Sequence, residues 1–552
     1  MLRRSVLQAG ILIFARGLRA QGDVPGAQET TFFSDVDDSN QPYALYLPRN
    51  LDRTRKYPLV ISLHGADSDH RLNLRRVFGR GAPLGFGQSQ VSRLSARLPE
   101  VDYLVACPLA RGTMGYQGIA EKDVYDVLAD VKRRFPIDED RIYLTGLSMG
   151  GGGALWLGLT RPGLWAAIAS VCPSPPEGAA ELAPNALNIP VHLFHGDKDP
   201  AVSVEVSRQW QRTFLRLGVN VEYVEYPGVR HNSWDLAYRD AAIFDWFSKH
   251  RRERFPERVR FTSRAYKYNS AYWVEIDGLT PGAPASIDAR FTAVNHLEVT
   301  ASGLEGFTLK LAGHPKFSRT GTLAVTINGT PYKTPARETV SFARAGNGWK
   351  SGRYAPAAGE KRPGLEGPMS EAVASRHIYV YGTAGTHSED ELKRRREQAE
   401  RAADWSTPRR RLLLSLKAVA DRDLREPDRA SGNLVLFGTV STNRLIAELS
   451  PRLPLELNPG AADYGLAFVY PVDGHYVLVS SGLPWWAGAE FSRRPGLNYT
   501  GTPASVLPAL GDFILFKGSL DNVVAEGRFD RNWKLPAEAA ARIKATGAVI
   551  IR

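Results

Sequence analysis

The apolar residues of the first 250 positions fall into short continuous runs that are separated by polar stretches. This pattern is typical of buried parallel strands that alternate with helices. The run at 57–63 is the most uniform, and similar runs lie at 101–107, 141–147, 169–172, 189–195 and 221–226. We therefore predict an α/β domain over residues 30–252.

Beyond residue 252 the runs become shorter and alternate between apolar and polar positions. Such alternation favours antiparallel strands with one buried face. We predict strands at 258–263, 271–276, 285–291, 296–300 and 323–328, with glycines between them. These strands indicate a small β-sandwich over residues 253–350, and the stretch 351–370, rich in glycine, proline and charge, predicts a linker.

Residues 371–552 alternate strands and helices again, which predicts a smaller C-terminal α/β domain with a parallel sheet. The predicted elements are strands at 377–383 and 433–438, helices at 388–405 and 443–449, and a hairpin at 465–480. Both strands end in Gly-Thr before a helix, a turn that either holds an anion or is simply capped. We expect an ordinary capped turn there.

The sequence Gly146-x-Ser148-x-Gly150 follows the run at 141–147. A serine between a strand and a helix, with glycine on both sides, sits in a strained turn that exposes its hydroxyl. The turn also directs the first N–H groups of the helix at the atom that the serine attacks. We therefore predict the N–H of Met149 as one oxyanion donor and that of Ala66, in the loop after the run at 57–63, as the other.

An acid and a histidine follow at the ends of later runs. The run at 189–195 leads into Asp197 and Asp199, and His231 comes shortly after the run at 221–226. Serine, acid and histidine in this chain order, each at the carboxyl edge of a parallel sheet, form the arrangement used in acyl transfer.

These motifs resemble the alpha/beta-hydrolase superfamily, and more narrowly its lidless exported esterases, near feruloyl esterases, polyhydroxybutyrate depolymerases and prolyl-oligopeptidase-like hydrolases. The resemblance covers roughly residues 40–250. It implies that Ser148 is the nucleophile, that His231 is the general base, and that Asp199 rather than Asp197 is the acid. No metal or organic cofactor is expected.

Two aromatic residues are candidate substrate contacts. Trp234 either forms a wall of the acyl pocket or covers the end of the sheet. Tyr116, together with Arg111, lies in the loop after the run at 101–107 and is able to face substrate. The alternative for this loop is that Glu121 and Asp123 merely favour the N-terminus of the next helix.

The remaining histidines and the two cysteines predict no metal site and no disulfide. His192 and His195 lack a spacing that presents both rings on one face, and we expect His64 to bond backbone. Cys107 and Cys172 are predicted to end strands that two others separate, so their sulfurs lie about 14 Å apart. Both thiols are therefore expected to be free and buried.

The first 20 residues resemble a signal peptide. Arg3-Arg4 precedes the apolar stretch 6–15, and small residues follow it. The stretch is too short to span a bilayer, so we expect export, with a start that resembles a twin-arginine signal. The net charge of +12 comes from scattered basic runs without interleaved aromatics. This pattern predicts no nucleic-acid partner, while acidic polysaccharide would benefit from the positive field.

The sequence thus predicts an exported serine hydrolase that cleaves carboxylic esters. The segment 173–188 is the only candidate cap in the sequence, and an uncapped pocket suits bulky or polysaccharide-linked substrates such as feruloyl and acetyl esters. Two alternatives stay open: a peptidase of the prolyl-oligopeptidase kind, and a non-catalytic binding protein on the same fold.

Overall fold

The computed structural model describes residues 24–81, 97–497 and 499–552. The predicted signal peptide, residues 1–20, lies outside the described residues. The N-terminal region is built on an eight-stranded sheet in the order β1-β2-β4-β3-β5-β6-β7-β8. Its strands are β1 (Gly26–Ser34), β2 (Ser39–Leu47), β3 (Tyr57–Leu63), β4 (Leu104–Pro108), β5 (Ile137–Leu147), β6 (Ala167–Val171), β7 (Val191–Gly196) and β8 (Val221–Tyr226).

The six strands from β4 to β8 in this order run parallel, and β1 and β2 are antiparallel to their neighbours. Helices cover both faces, because separate apolar clusters form above and below the sheet. The helices are α1 (His70–Val77), α2 (Ile119–Arg134), α3 (Met149–Thr160), α4 (Val204–Leu217), α5 (Trp234–Ala237) and α6 (Ala242–Ser248), with 3-10 turns at Pro162–Leu164, Ala179–Asn188 and Arg239–Ala241.

The sheet order explains the cysteines. Cys107 lies in β4 and Cys172 directly follows β6, and β3 and β5 lie between these strands. Both thiols are free and buried, as predicted.

The middle of the chain forms two five-stranded sheets that share one apolar core. The first sheet has the order β10-β11-β14-β17-β18 and the second has the order β16-β15-β13-β12-β9. The bounds are β9 (Arg258–Ser263), β10 (Ser270–Ala271), β11 (Val274–Leu279), β12 (Ala285–Ala293), β13 (His296–Ser302), β14 (Leu304–Lys310), β15 (Thr322–Ile327), β16 (Thr330–Pro335), β17 (Thr339–Ala345) and β18 (Gly348–Ser351). The apolar alternation had missed β14, β16, β17 and β18.

The C-terminal region holds a seven-stranded sheet in the order β20-β19-β21-β24-β23-β25-β26 and a two-stranded sheet, β22-β27. Its strands are β19 (His377–Tyr381), β20 (Lys417–Ala420), β21 (Asn433–Phe437), β22 (Leu455–Leu457), β23 (Tyr464–Val472), β24 (His475–Gly482), β25 (Phe513–Lys517), β26 (Val523–Gly527) and β27 (Val549–Ile551). Its helices are α7 (Met369–Ala372), α8 (Glu389–Ala403), α9 (Glu426–Ala430), α10 (Arg444–Leu449) and α11 (Ala537–Ala545), and it has 3-10 turns at Ser450–Arg452 and Pro503–Ala509. One further 3-10 turn, Tyr266–Tyr268, belongs to the middle region.

The predicted parallel character of the seven-stranded sheet is wrong for half of it. Strands β20, β19, β21 and β24 pair in parallel, whereas β23, β25 and β26 are antiparallel. The reason is the tight hairpin between β23 and β24, which reverses the chain within two residues.

The segment predicted as a linker is tied to the regions on either side of it. Lys361 is buried and its ammonium donates to Asp512 at 2.5 Å. Glu366 accepts the backbone N–H groups of Tyr266 and Lys267 at 2.5 and 2.9 Å. These contacts tie the segment to the second and third regions at Lys361 and at the buried residues 365–367, whereas residues 351–353 and 357–359 are exposed. No helix in the described part of the chain combines the length and apolar character that a bilayer crossing requires.

Candidate active site

Ser148 lies in the turn between β5 and α3, with φ 55° and ψ −118°. A side chain rarely adopts this backbone, which costs about 1–3 kcal/mol unless the surroundings enforce it. The surroundings do enforce it here. A Cβ at Gly146 would lie 2.2 Å from the Gly150 carbonyl oxygen, and one at Gly150 would lie 2.2 Å from that of Leu63. The two glycines of the motif therefore allow β3, β5 and α3 to approach closely.

The structure brings the predicted nucleophile, base and acid together. The Ser148 hydroxyl lies 3.0 Å from Nε2 of His231, and Nδ1 of His231 lies 2.7 Å from Oδ2 of Asp199. Because a carboxylate only accepts, Nδ1 carries the hydrogen and Nε2 is free to accept from the hydroxyl. This tautomer is the one that allows the imidazole to take a proton from serine.

Asp199 is kept ionised by backbone hydrogen bonds as well as by the imidazole of His231. Its side chain is inaccessible to solvent, and burial works against ionisation. Hydrogen bonds from His231 and from the N–H groups of Ala201 and Val202 outweigh burial and hold the pKa of Asp199 below its ordinary value. Asp197 instead accepts the Gly228 N–H at 2.6 Å, so its carboxylate stabilises a loop.

His195 is a support of this arrangement that sequence reasoning missed. Its Nε2 lies 3.0 Å from the Val202 carbonyl and 3.2 Å from Asp199, and its Nδ1 lies 2.8 Å from the Ser207 hydroxyl. Burial lowers the pKa of His195, so the ring is neutral near pH 7. A neutral ring behind Asp199 adds a hydrogen-bond donor without a competing charge. The ending His195-Gly196 of the strand was the only sequence signal.

The loop after β3 is fixed beside the nucleophile. The His64 ring lies 2.8 Å from the carbonyl oxygens of both Gly65 and Leu109. A Cβ at Gly65 would lie 3.5 Å from the Cβ of Ser148. Ala66, the residue after Gly65, therefore lies close to Ser148. Met149 is the first residue of α3, and its backbone N–H has no acceptor within the helix. Their role as oxyanion donors stays a prediction.

Tyr116 supports this loop, contrary to the expectation of a substrate contact. It is only 3% exposed, and its hydroxyl donates to the His64 carbonyl at 2.9 Å. Its ring packs against the backbone of α3, because a Cβ at Gly153 would lie 2.4 Å from it. The hydroxyl and the ring are both engaged inside the protein.

Arg111 is likewise structural. Its guanidinium is fully buried and donates to Asp123 at 2.7 Å and to Asp37 at 2.8 Å. Burial raises the pKa of Asp123 to about 6 although Arg111 lies beside it. Glu121 is also buried and accepts the Tyr268 hydroxyl at 2.6 Å. Glu121 lies in the first turn of α2, as the alternative expected, and both Glu121 and Asp123 are in addition buried contact groups.

Trp234 flanks the imidazole. Its ring stands edge-on to that of His231 with centroids 5.3 Å apart, and the Arg76 guanidinium lies over the Trp234 ring, 5.0 Å from its centroid. Trp234 is therefore at the site rather than at a distant end of the sheet. Contact with substrate remains a prediction.

Among the described residues, the group of metal-binding side chains that lie within reach of one another is Cys172, Asp199 and His231, with ligand atoms within 4.8 Å. Burial raises the pKa of the Cys172 thiol to about 12, so it is protonated at neutral pH. A metal ion there would also have to displace the hydrogen between His231 and Asp199. The donor set suits proton transfer better than a metal.

The C-terminal region reaches the edge of the site, which sequence reasoning missed. Arg410 lies 3.7 Å from Asp67, in the loop after β3. Leu413 donates its N–H to the Arg111 carbonyl at 3.0 Å, and Ser415 donates its N–H to Asp37 at 3.0 Å. Contacts between residues about 300 positions apart leave no local signal in the sequence.

A strained serine at the centre of a mostly parallel eight-stranded sheet, with acid and histidine at the same edge, defines the class of alpha/beta hydrolases. Residues 119–244 match the family described as Phospholipase/Carboxylesterase. Curated relatives include acyl-protein thioesterase 1 of Neurospora crassa, 31% identical over 102 residues, and of Mycosarcoma maydis, 35% identical over 118 residues. The matches cover 18% and 20% of this chain and only 42% and 48% of those relatives.

Similar solved structures cover about two fifths of this chain. A thermostable esterase is 28% identical with a TM-score of 0.33 and covers 41% of this chain and 63% of its own. A ferulic acid esterase of Anaeromyces mucronatus is 17% identical with a TM-score of 0.31 and covers 42% and 93%. Over residues 119–244, the chain is thus similar to esterases of the alpha/beta-hydrolase class.

Proposed function

We propose that the chain is an ester hydrolase that works through an acyl-enzyme on Ser148. The observation that carries the proposal is the continuous contact from the Ser148 hydroxyl through His231 to the buried Asp199. The family match and the esterase relationship are consistent with it.

In this mechanism His231 removes the proton as Ser148 attacks the acyl carbon, and then returns it to the leaving alcohol. Asp199 keeps the tautomer and stabilises the imidazolium that forms. The N–H groups of Met149 and Ala66 are the proposed oxyanion donors, and loss of one such donor lowers turnover about 100-fold to 1000-fold. Water then repeats the sequence on the acyl-enzyme and regenerates the serine. No metal enters these steps.

We further propose that the natural substrates are bulky esters, with feruloyl or acetyl groups on polysaccharide as the working model. The segment 173–188, the candidate cap, supports an open site, because its Asn185 bonds to Leu159 and Thr262 and so bridges the first region to β9. The net charge of +12 supports an acidic polysaccharide as the carrier. Export is proposed on the basis of the Arg3-Arg4 start and the apolar stretch that follows it.

A fluorophosphonate probe tests the proposed nucleophile directly. We expect stoichiometric labelling of the wild-type protein and none of Ser148→Ala, with an unchanged melting temperature in the variant. The matched control is Ser441→Ala, an exposed serine beside a turn of the seven-stranded sheet, which should label like wild type. Absence of labelling in folded wild-type protein would favour a binding protein instead. Hydrolysis of p-nitrophenyl acetate, methyl ferulate and proline-containing peptides then separates an esterase from a peptidase.

A further inference from the structure

A cavity of about 420 Å³ lies where the three regions of the chain meet. Pockets that hold small organic ligands commonly measure about 300–1,000 Å³. Its walls are largely apolar. The principal apolar side chains are Met114, Ile119 and Trp156 from the eight-stranded region and Trp405, Leu412 and Leu507 from the C-terminal region.

One end of the cavity adjoins the oxyanion loop. Thr113 lines it and accepts the Asp67 N–H at 2.8 Å, and Arg410 lines it and lies 3.7 Å from the Asp67 carboxylate. Asp67 is two residues beyond Gly65, which abuts Ser148. Two residues of chain span at most about 7 Å, so Gly65 beside the nucleophile and Asp67 beside the cavity lining belong to one short loop.

The charged groups of the cavity are matched within the protein. Lys267 lies 3.5 Å from Glu121 and 3.8 Å from Glu371, and Arg528 lies 4.0 Å from Asp512. A bound carboxylate or ammonium group would have to compete with these partners. The cavity therefore favours an uncharged, apolar ligand.

We propose that this cavity binds the elongated apolar part of the ester, an alkyl or aryl chain that extends beyond the reacting carbonyl group. This inference rests on the proposed function and adds the substrate class. It makes the C-terminal region a specificity element, since Trp405, Leu412 and Leu507 form its half of the wall. A chain too short to cross the gap does not sense the cavity, whereas each buried methylene group improves kcat/KM about fourfold.

The test fills the cavity and compares short and long esters. Ala504 lines the cavity and is half-buried, so Ala504→Trp places an indole in it. The control is Ala541→Trp, an exposed alanine of α11 outside the cavity lining. We expect Ala504→Trp to lower kcat/KM for p-nitrophenyl decanoate about tenfold or more, and to change that for p-nitrophenyl acetate by less than about twofold. The control should match wild type on both esters.

A second variant guards against loss of folding in the first, which thermal melting would reveal. Leu412→Ala enlarges the same cavity at another lining residue, so the preference of this variant should shift toward longer chains. Decyl acetate compared with ethyl acetate then tells whether the cavity receives the alcohol side or the acyl side, and a preference on either side supports the proposal.

The outcomes separate this inference from the proposed function. Equal effects of Ala504→Trp on decanoate and acetate, or no effect on either, overturn the cavity assignment while acetate turnover and labelling of Ser148 persist. If wild-type protein neither labels nor hydrolyses any ester, the proposed function fails and the cavity assignment falls with it.

Discussion

The eight-stranded and seven-stranded sheets each contain a strand-to-helix turn with a sterically required glycine, but only the turn in the eight-stranded sheet forms a candidate active site. In each, a parallel strand ends in a glycine turn that leads toward a helix. A Cβ at Gly150 would lie 2.2 Å from the Leu63 carbonyl, and one at Gly382 would lie 2.0 Å from that of Thr442. The steric demand is therefore shared by the two sheets.

The two turns differ in which side chain lies next to them at the carboxyl edge of the sheet. In the seven-stranded sheet Asp421 accepts the N–H and hydroxyl of Thr383 at 3.1 and 2.6 Å and the N–H of Arg444 at 2.7 Å. Asp421 thus occupies the position of the anion that the Gly-Thr turns suggested, and the expectation of an ordinary closed turn is confirmed. In the eight-stranded sheet the strained Ser148 faces an imidazole that is 26% exposed. A strand-to-helix turn becomes a candidate site only where the chain leaves it open.

The largest expected effect comes from removing the base at the carboxyl edge of the eight-stranded sheet. His231→Gln should lower kcat for p-nitrophenyl acetate by about 10,000-fold or more, because the serine then lacks a base. Steady-state kinetics with urea unfolding checks this. His475→Gln, a histidine of β24 that bonds the Ala430 carbonyl, is the control and should retain full activity. A His231→Gln protein with near-normal turnover would remove the basis of the comparison.

Alanine substitution at Gly150 and Gly382 should show that both turns have no room for a Cβ atom. Gly150→Ala and Gly382→Ala should each lower the free energy of unfolding by ~3 kcal/mol or more, because backbone atoms cannot move aside. Gly460→Ala, with no atom within 4 Å of the added Cβ, should stay within about 0.5 kcal/mol. Chemical denaturation measures all three. Tolerance of alanine at position 150 would contradict the packing described for the elbow.

The pH dependence of stability should show how the segment 351–370, which leads into the seven-stranded region, is anchored to the middle region. Burial raises the pKa of Glu366 to about 7, although backbone N–H groups of Tyr266 and Lys267 oppose the shift. The folded state therefore holds a proton that the unfolded state has lost. Stability contributed by this proton is complete below about pH 4, declines as the pH rises, and is lost above about pH 7. The full difference amounts to about 3 kcal/mol.

Glu366→Gln removes this titration and keeps the shape, but its amide N–H group replaces one of the two oxygens that accept from Tyr266 and Lys267, which lowers stability by the same amount at every pH. The unfolding free energy of the variant, measured from pH 4 to pH 8, should fall less steeply than that of wild type. Identical slopes would mean that Glu366 is ionised in the folded protein.

The smallest expected effect on stability is that of substituting Asp421, which occupies the carboxyl edge of the seven-stranded sheet. Asp421→Asn should lower the free energy of unfolding by about 1–2 kcal/mol, because one of its acceptor oxygens becomes a donor facing backbone N–H groups. It should leave kcat/KM for p-nitrophenyl acetate unchanged. A large loss of activity at constant stability would show that the second edge takes part in the chemistry, and the contrast between the sheets would fail.

Much of the first region could be predicted from the sequence. The bounds of β3 follow from a continuous apolar run and those of β8 from a run of valine and tyrosine interrupted by glutamate. The order of Ser148, Asp199 and His231 follows from the strand ends. The inward orientation of Tyr116 could not be predicted, because a loop at the carboxyl edge has the same sequence signature whether its side chains face substrate or turn inward. The missed strands of the middle region lie where alternation is interrupted, as in Leu304–Lys310, which buries most of its residues.

The sequence by itself determined the strand-turn-helix elements, the strained glycine-flanked serine and the chain order of the acid and histidine, because these depend on local sterics and periodicity. Tertiary structure alone decided that Asp199 and not Asp197 meets the imidazole, that Asp421 closes the second edge, and that Arg410 and Leu412 border the first. Those outcomes depend on which residues meet across long stretches of chain, and such contacts are set by packing of whole sheets rather than by neighbouring residues.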